Sequence, residues 1–363
     1  MAGHARPLVQ EIGQPGSGIV ESGRGGQAGL VRLREWDPAT APVDEIAAWL
    51  ELYNAVGAHD LPNDPPWINE RLREYLVETM PEERRLCWIA EDADGRLLGF
   101  AGLLVLSDLG VLELYVRPSA RGTGVGRALL STVADRASAE HFSSLGVEVA
   151  GGTPAAGFYG RYGFSHVYTE MRSILTLSTV EWSRITDMAA GLVSGYVVQV
   201  HEGLLPEALL PAYAEAKQVR RADPTGDMEL RPSSYDTDRL QASMECLNVR
   251  GLRPYIVVAI HERTGVVAGL TELVVPAQHP TRADQYDTII VPAHNSYGLA
   301  RAIKARMLLE LRERQPQLCE VQTWHATDRE QLQQVNKELG FLADREWREY
   351  EVDTDELAAR LAA

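Results

Sequence analysis

Gly122, Gly124 and Gly126 stand at alternate positions in the run LELYVRPSARGTGVGRALL, residues 112–130, and glycines so spaced suit the binding of an anion. The run opens with apolar, β-branched and aromatic residues that favour a strand. It ends in an Ala/Leu-rich stretch of helical period, so the glycines fall at a strand-to-helix turn. Lacking Cβ atoms, they let the backbone approach a ligand closely, and the first N–H groups of the helix have no intrahelical partner and carry partial positive charge. A phosphate or pyrophosphate fits such a turn. Two common phosphate motifs do not match. The P-loop needs Lys followed by Ser or Thr after its last glycine, where Arg127 and Ala128 stand, and the dinucleotide fingerprint needs glycines at its first, third and sixth positions. For three glycines alone the bland alternative is a flexible turn.

The neighbouring residues narrow the choice. Val116 and Pro118 close the strand as Val-x-Pro, Arg121, Gly124 and Gly126 form Arg-x-x-Gly-x-Gly, and an amphipathic helix follows. Further on, GFYGRYGF at residues 157–164 has the form of a helix end with an aromatic pair and then Gly-Phe. In this order the two motifs resemble those of the GCN5-related N-acetyltransferases, the GNAT family. The resemblance implies an α/β fold of the α+β kind, with a mixed central sheet, and acetyl-CoA as co-substrate. It implies that the loop of Arg121, Gly122, Thr123, Gly124, Val125, Gly126 and Arg127 holds the CoA pyrophosphate through its amides. The exposed backbone of Leu114, Tyr115 and Val116 would pair with the pantetheine arm. Tyr159 matches the Tyr that the family uses as an acid, with packing beside Phe158 and Tyr162 as its other role. Gly152 departs from the pattern, standing where many relatives carry Asn, so one contact to the co-substrate is missing.

An amine is protonated near neutral pH and must lose a proton before attacking a thioester, and the departing thiolate gains from a proton donor, so the chemistry asks for a base and an acid. Strand alternation puts Leu112, Leu114 and Val116 on one face and Glu113, Tyr115 and Arg117 on the other. Glu113 is therefore the candidate base, at a place where some family members hold an acidic residue. Its alternative is a solvated carboxylate paired with Arg117.

At 363 residues the chain suggests two domains, and its formal net charge of −16 argues against a nucleic-acid or anionic-membrane binder and attracts cationic amines instead. Cys87, Cys246 and Cys319 form neither a disulfide framework nor a metal-ligand spacing, so each is read as a small buried residue in a reducing, cytoplasmic compartment; no metal is expected. Residues 1–27, rich in Gly and Pro, read as a disordered lead-in with no membrane span. Residues 28–180 then give strand, helix, helix (from Pro65 to Met80), hairpin, strand, glycine turn with helix, strand, short helix and strand. Residues 181–194 show no clear period and read as a linker. Residues 195–363 repeat the order, which argues for a duplication. The chain thus looks like two tandem GNAT-like acyl-CoA N-acyltransferase domains.

The second copy departs at the positions that matter. Where the first reads RGTGVG, the second has Asn295, Ser296, Tyr297, Gly298, Leu299 and Ala300, and the place of Tyr159 is taken by Asn336, which has no phenolic proton to give. The first half is therefore expected to be catalytic and the second structural or substrate-shaping. The reading is an N-acetyltransferase acting on a primary amine of a small substrate. The alternatives are a non-catalytic acyl-CoA-binding regulatory protein and a mycothiol-synthase-like acyltransferase, and a homodimer is left open.

Overall fold

A computed structural model describes residues 18–21, 30–106, 109–192, 194–219, 235–326 and 330–363. The first half runs β1 (Gly18–Glu21), β2 (Leu30–Glu35), α1 (Val43–Asp60), α2 (Leu72–Val77), β3 (Glu83–Glu91), β4 (Leu97–Leu106), β5 (Leu109–Val116), α3 (Val125–Ala139), β6 (Ser144–Ala150), α4 (Ala155–Arg161) and β7 (Ser165–Thr176). After α5 (Trp182–Ala190) the second half runs β8 (Tyr196–Glu202), α6 (Leu210–Lys217), α7 (Thr237–Val249), β9 (Leu252–His261), β10 (Val267–Pro276), β11 (Arg282–Ile290), α8 (Leu299–Arg314), β12 (Glu320–Ala326), α9 (Glu330–Leu339), β13 (Leu342–Asp353) and α10 (Thr354–Ala362).

Among the described residues the thirteen strands form one mixed sheet in the order β1-β2-β3-β4-β5-β6-β13-β7-β12-β11-β10-β9-β8. Most neighbours are antiparallel, but β5 runs parallel to β6 and β11 parallel to β12. The two halves trade their last strands. β13, from the end of the chain, pairs with β6 over Trp347↔Ala150 to Asp353↔Ser144, while β7 crosses to pair with β12 over Glu320↔Thr176 to Ala326↔Glu170. β13 and β7 also pair with each other, which closes the two half-sheets into one.

Helices cover both faces. On one, α3 packs its buried Leu129, Leu130, Val133 and Ala137 against Leu103, Leu112, Leu145 and Val147, and α10 joins the same core through Leu357 and Leu361. On the other, α1 and α2 bury Ile46, Trp49, Leu52, Leu72 and Leu76 against Cys87, Ile89 and Phe100. The second half repeats this arrangement, with α8 on one face and α6 and α7 on the other. The seam carries polar contacts as well. Asp64, in the α1–α2 loop, accepts two hydrogen bonds from the buried Arg172 at 2.6 and 3.0 Å and pairs with the buried Arg282 at 3.1 Å. Burial opposes the charge on Asp64, yet these guanidiniums hold its carboxyl below the usual range.

Several expectations need correction. Gly18–Glu21, within the expected lead-in, is an edge strand on β2, while residues 1–17 and 22–27 lie outside the described residues. The expected helix from Pro65 to Met80 is confined to α2, because Arg71 takes a left-handed φ of 51° and Trp67 is tied to Asn54 of α1 by two hydrogen bonds of 2.9 Å. The stretch 181–194 contains α5, whose Trp182, Ile185 and Met188 pack on the second core. Of the cysteines only Cys87 is buried; Cys246 is half-buried and Cys319 exposed.

Candidate active site

β5 and β6 share ladder bonds from Leu109↔Ser144 to Leu112↔Val147 and then diverge, β5 continuing to Val116 and β6 to Ala150. Beyond the fork β5 is paired on its other side with β4, Leu114↔Ala101 and Val116↔Gly99, so the edge of Leu114, Tyr115 and Val116 that faces β6 has no strand partner, although Arg121 takes the Val116 carbonyl. At its end lies the glycine turn. Gly122 and Gly124 sit at φ 77° and 101°, the left-handed region that favours glycine, and Gly124 leads directly into α3. Ala128 N–H makes the first intrahelical bond, to Gly124, and among the described residues nothing accepts from the backbone N–H groups of residues 122–127. These amides and the open strand edge fit a CoA pyrophosphate and pantetheine arm in both donor chemistry and clearance. Gly126 has another reason to be small: a Cβ there would lie 3.4 Å from Phe158.

The side chains of this loop are otherwise engaged. Arg121 donates from Nε to the Val116 carbonyl at 3.1 Å and from both terminal nitrogens to Asp60 of α1 at 2.7 Å. Arg127 donates to the Leu361 carbonyl of α10 at 2.8 Å, and Thr123 to the Ala120 carbonyl at 2.8 Å. Val125 is buried in the core beneath the loop. It is the backbone of this segment that is free for an anion, while its guanidiniums brace the turn against α1 and α10.

Tyr159 is 4% exposed, its ring edge-on to Phe158 and Phe164 at 5.1 and 5.0 Å, and burial pushes its hydroxyl above the usual phenol range. Phe158 reaches Gly126, so α4 sits beside the head of α3. Glu113 lies on the opposite sheet face, as alternation requires, but its partner is Arg85 of β3 at 3.0 Å. Arg117 is instead buried against Glu51 and the Leu97 carbonyl.

Strand register extends Glu113 into a row. Glu113 of β5 leads across the fork to Glu148 of β6, and Glu148 stands directly opposite Glu349 of β13. Glu170 of β7 lies opposite Trp347, two residues from Glu349 on the same face. Glu148 is open to solvent but walled by protein, and burial with the Glu170 and Glu113 charges pushes it up to about 7. Burial with the Glu148 and Glu170 charges pushes Glu349 up to about 7 as well. Tyr53, Tyr75 and Tyr115 wall the groove beside Glu113, each raised by burial and then by neighbouring charge. The second half contributes Asp284 and Tyr286 to this wall, Tyr286 with 46% of its surface exposed.

An acetyltransferase (GNAT) domain model matches residues 83–166, the stretch from β3 to the start of β7. Solved structures extend the likeness to the whole arrangement. A tandem GNAT protein from the clavulanic acid biosynthesis pathway, solved without AcCoA, superposes with a TM-score of 0.76 at 21% identity, over 89% of this chain and 98% of that one. A GCN5-related N-acetyltransferase from Sphaerobacter thermophilus superposes with a TM-score of 0.64 at 17% identity, over 89% and 96% of the two chains. The chain has the tandem GNAT fold.

Within this tandem GNAT fold the two forks differ in their chemistry. In the second, β11 and β12 pair from Arg282↔Glu320 to Gln285↔Thr323 and then part, but the loop that follows is wound into a 3₁₀ turn over Pro292–Tyr297, and His294 bonds the Tyr196 hydroxyl at 2.7 Å. At the fork Lys304, 1% exposed, donates to Gln285 at 2.7 Å, and burial lowers its ammonium to about 7. Asn336 is 2% exposed, and neither of its amide atoms has a partner among the described residues. Across the sheet Lys217 bridges Glu272 and Asp287 at 2.8 and 2.5 Å, filling with an ion network the position where the first half has its open groove. Sequence reasoning named Glu113 and Tyr159 as candidates and did not name Glu148, Glu170 or Glu349, which strand register places in one row with Glu113. Alternation along β6 could have offered Glu148; Glu349 depends on a strand exchange that no local pattern records.

Proposed function

We propose that the chain is an N-acetyltransferase that moves an acetyl group from acetyl-CoA to a primary amine of a small, positively charged substrate, with its first half as the catalytic one. The observation that carries this reading is the conjunction, in one half only, of free loop amides, an open strand edge and an acidic groove across the sheet. Acetyl-CoA supplies an acyl carbon activated as a thioester. The amides of residues 122–127 hold its pyrophosphate, and the edge of Leu114, Tyr115 and Val116 aligns its pantetheine arm. The acidic groove draws in the protonated amine and offers carboxylates to accept its proton. Tyr159, a phenol at neutral pH, holds a proton for the departing sulfur. The ion network and wound loop of the second half support a structural role there.

Tyr159→Phe tests the reading. It removes one hydroxyl and keeps the ring between Phe158 and Phe164, so acetyl-CoA affinity by calorimetry should hold while kcat and kcat/KM fall together by about a hundredfold or more. Full kcat in the variant would return Tyr159 to a packing role. Acetyl-CoA binding without thiol release over a panel of amines would make the protein a binder.

A further inference from the structure

Glu113 is engaged by Arg85 at 3.0 Å, so part of its capacity to accept a proton is already occupied. Glu148, its neighbour across the fork, has no such partner: among the described residues no basic side chain pairs with Glu148 or Glu349. The two lie directly opposite on adjacent strands, where facing side chains stand about 5 Å apart at Cβ and like charges repel. The groups around them are Glu113 with Arg85 behind it, Glu170 and Tyr168 on β7, and the indole of Trp347, whose Nε1–H is buried without an acceptor. Glu349 belongs to the second half and reaches this groove only because β13 is inserted beside β6.

We propose that Glu148 takes the proton of the acceptor amine, and that Glu349, lent by the second half, is its partner in one coupled carboxyl pair. This rests on the acyl-transfer reading above. The ammonium gives one proton to the Glu148 carboxylate. Its nitrogen then forms the bond to the acyl carbon as the C–S bond breaks, Tyr159 gives its proton to the departing sulfur, and the nitrogen's second proton restores the phenol. Ammonium and thioester thus become amide, thiol and one proton, which Glu148 returns to solvent. Two carboxyls facing each other cannot both ionise freely, so the pair keeps a proton to higher pH than either residue would alone. Burial and then the Glu148 charge raise Glu349 to about 7, and burial with the Glu170 and Glu113 charges raises Glu148 to about 7, which matches a base working near neutrality.

The test uses the full chain and two readouts. With ¹³C-labelled glutamate, carboxyl signals titrating near 7 should disappear for Glu148 in Glu148→Gln, and in Glu349→Gln the remaining signal should titrate about one pH unit lower or more. The acidic limb of kcat/KM should move down by the same amount in Glu349→Gln, and Glu148→Gln should lose about a hundredfold or more at neutral pH. A limb that stays in place in Glu349→Gln, or Glu148→Gln at full rate, would overturn the inference while leaving the acetyltransferase reading intact. Failure of the wild type to bind acetyl-CoA would instead count against that underlying reading.

Discussion

A side chain at Gly124 would have to be built at φ 101°, so Gly124→Leu strains the turn and crowds the amides at the head of α3. Acetyl-CoA affinity should fall by well over tenfold by calorimetry. Gly126 differs, because its backbone is helical and a Cβ would only touch Phe158 at 3.4 Å, so Gly126→Ala should cost severalfold at most. Spacing alone made the two glycines look equivalent; the dihedral angles separate them. The same limit applies to the two residues that the sequence offers as candidate acid and base. Tyr159 and Glu113 were legible because one lies in a motif and the other follows from alternation on a single strand. The engagement of Arg121 by Asp60, and of Glu113 by Arg85, depends on which elements meet in space and has no local signature.

Most strands and the long helices were legible from period, because a buried stripe or alternating face must appear in the residues that make it. α5 was passed over although Trp182, Ile185 and Met188 recur at helical spacing, since the helix is short and carries Arg184 and Asp187 among its apolar residues. In α8 the pattern misleads in another way: Lys304 occupies a core position. Its folded-state ammonium is depressed to about 7 from an ordinary value near 10.5, so stability from this group is lost as pH falls from about 10 toward 7, and the full penalty persists below 7. Lys304→Met fills similar volume without the charge and leaves Gln285 bonded to Thr271. It should raise stability near pH 7 by about 1–3 kcal/mol, with the gap in Tm from wild type narrowing as pH rises toward 10.

On the scale of the whole molecule the two repeats are not two separable units, since each half-sheet is completed by a strand of the other. Leu357 of α10 is fully buried in the core of the first half, so Leu357→Ala should destabilise by about 2–5 kcal/mol. The effect should appear as lost hydrogen-exchange protection in α3 and weaker acetyl-CoA binding, although the substitution lies near the far end of the chain. Protection lost only in the second half would contradict this. The exchange also fixes an order of events during synthesis. Val147 leaves the ribosome long before its ladder partner Tyr350, and at about 5–20 residues per second the wait is on the order of tens of seconds. Through that interval the free edge of β6 and the α3 surface that later receives α10 stand uncovered. Until β13 and α10 emerge, nothing among the described residues of the first half itself covers that edge and that surface. A ribosome that stops before β13 leaves behind a chain with a formed glycine turn and an open sheet.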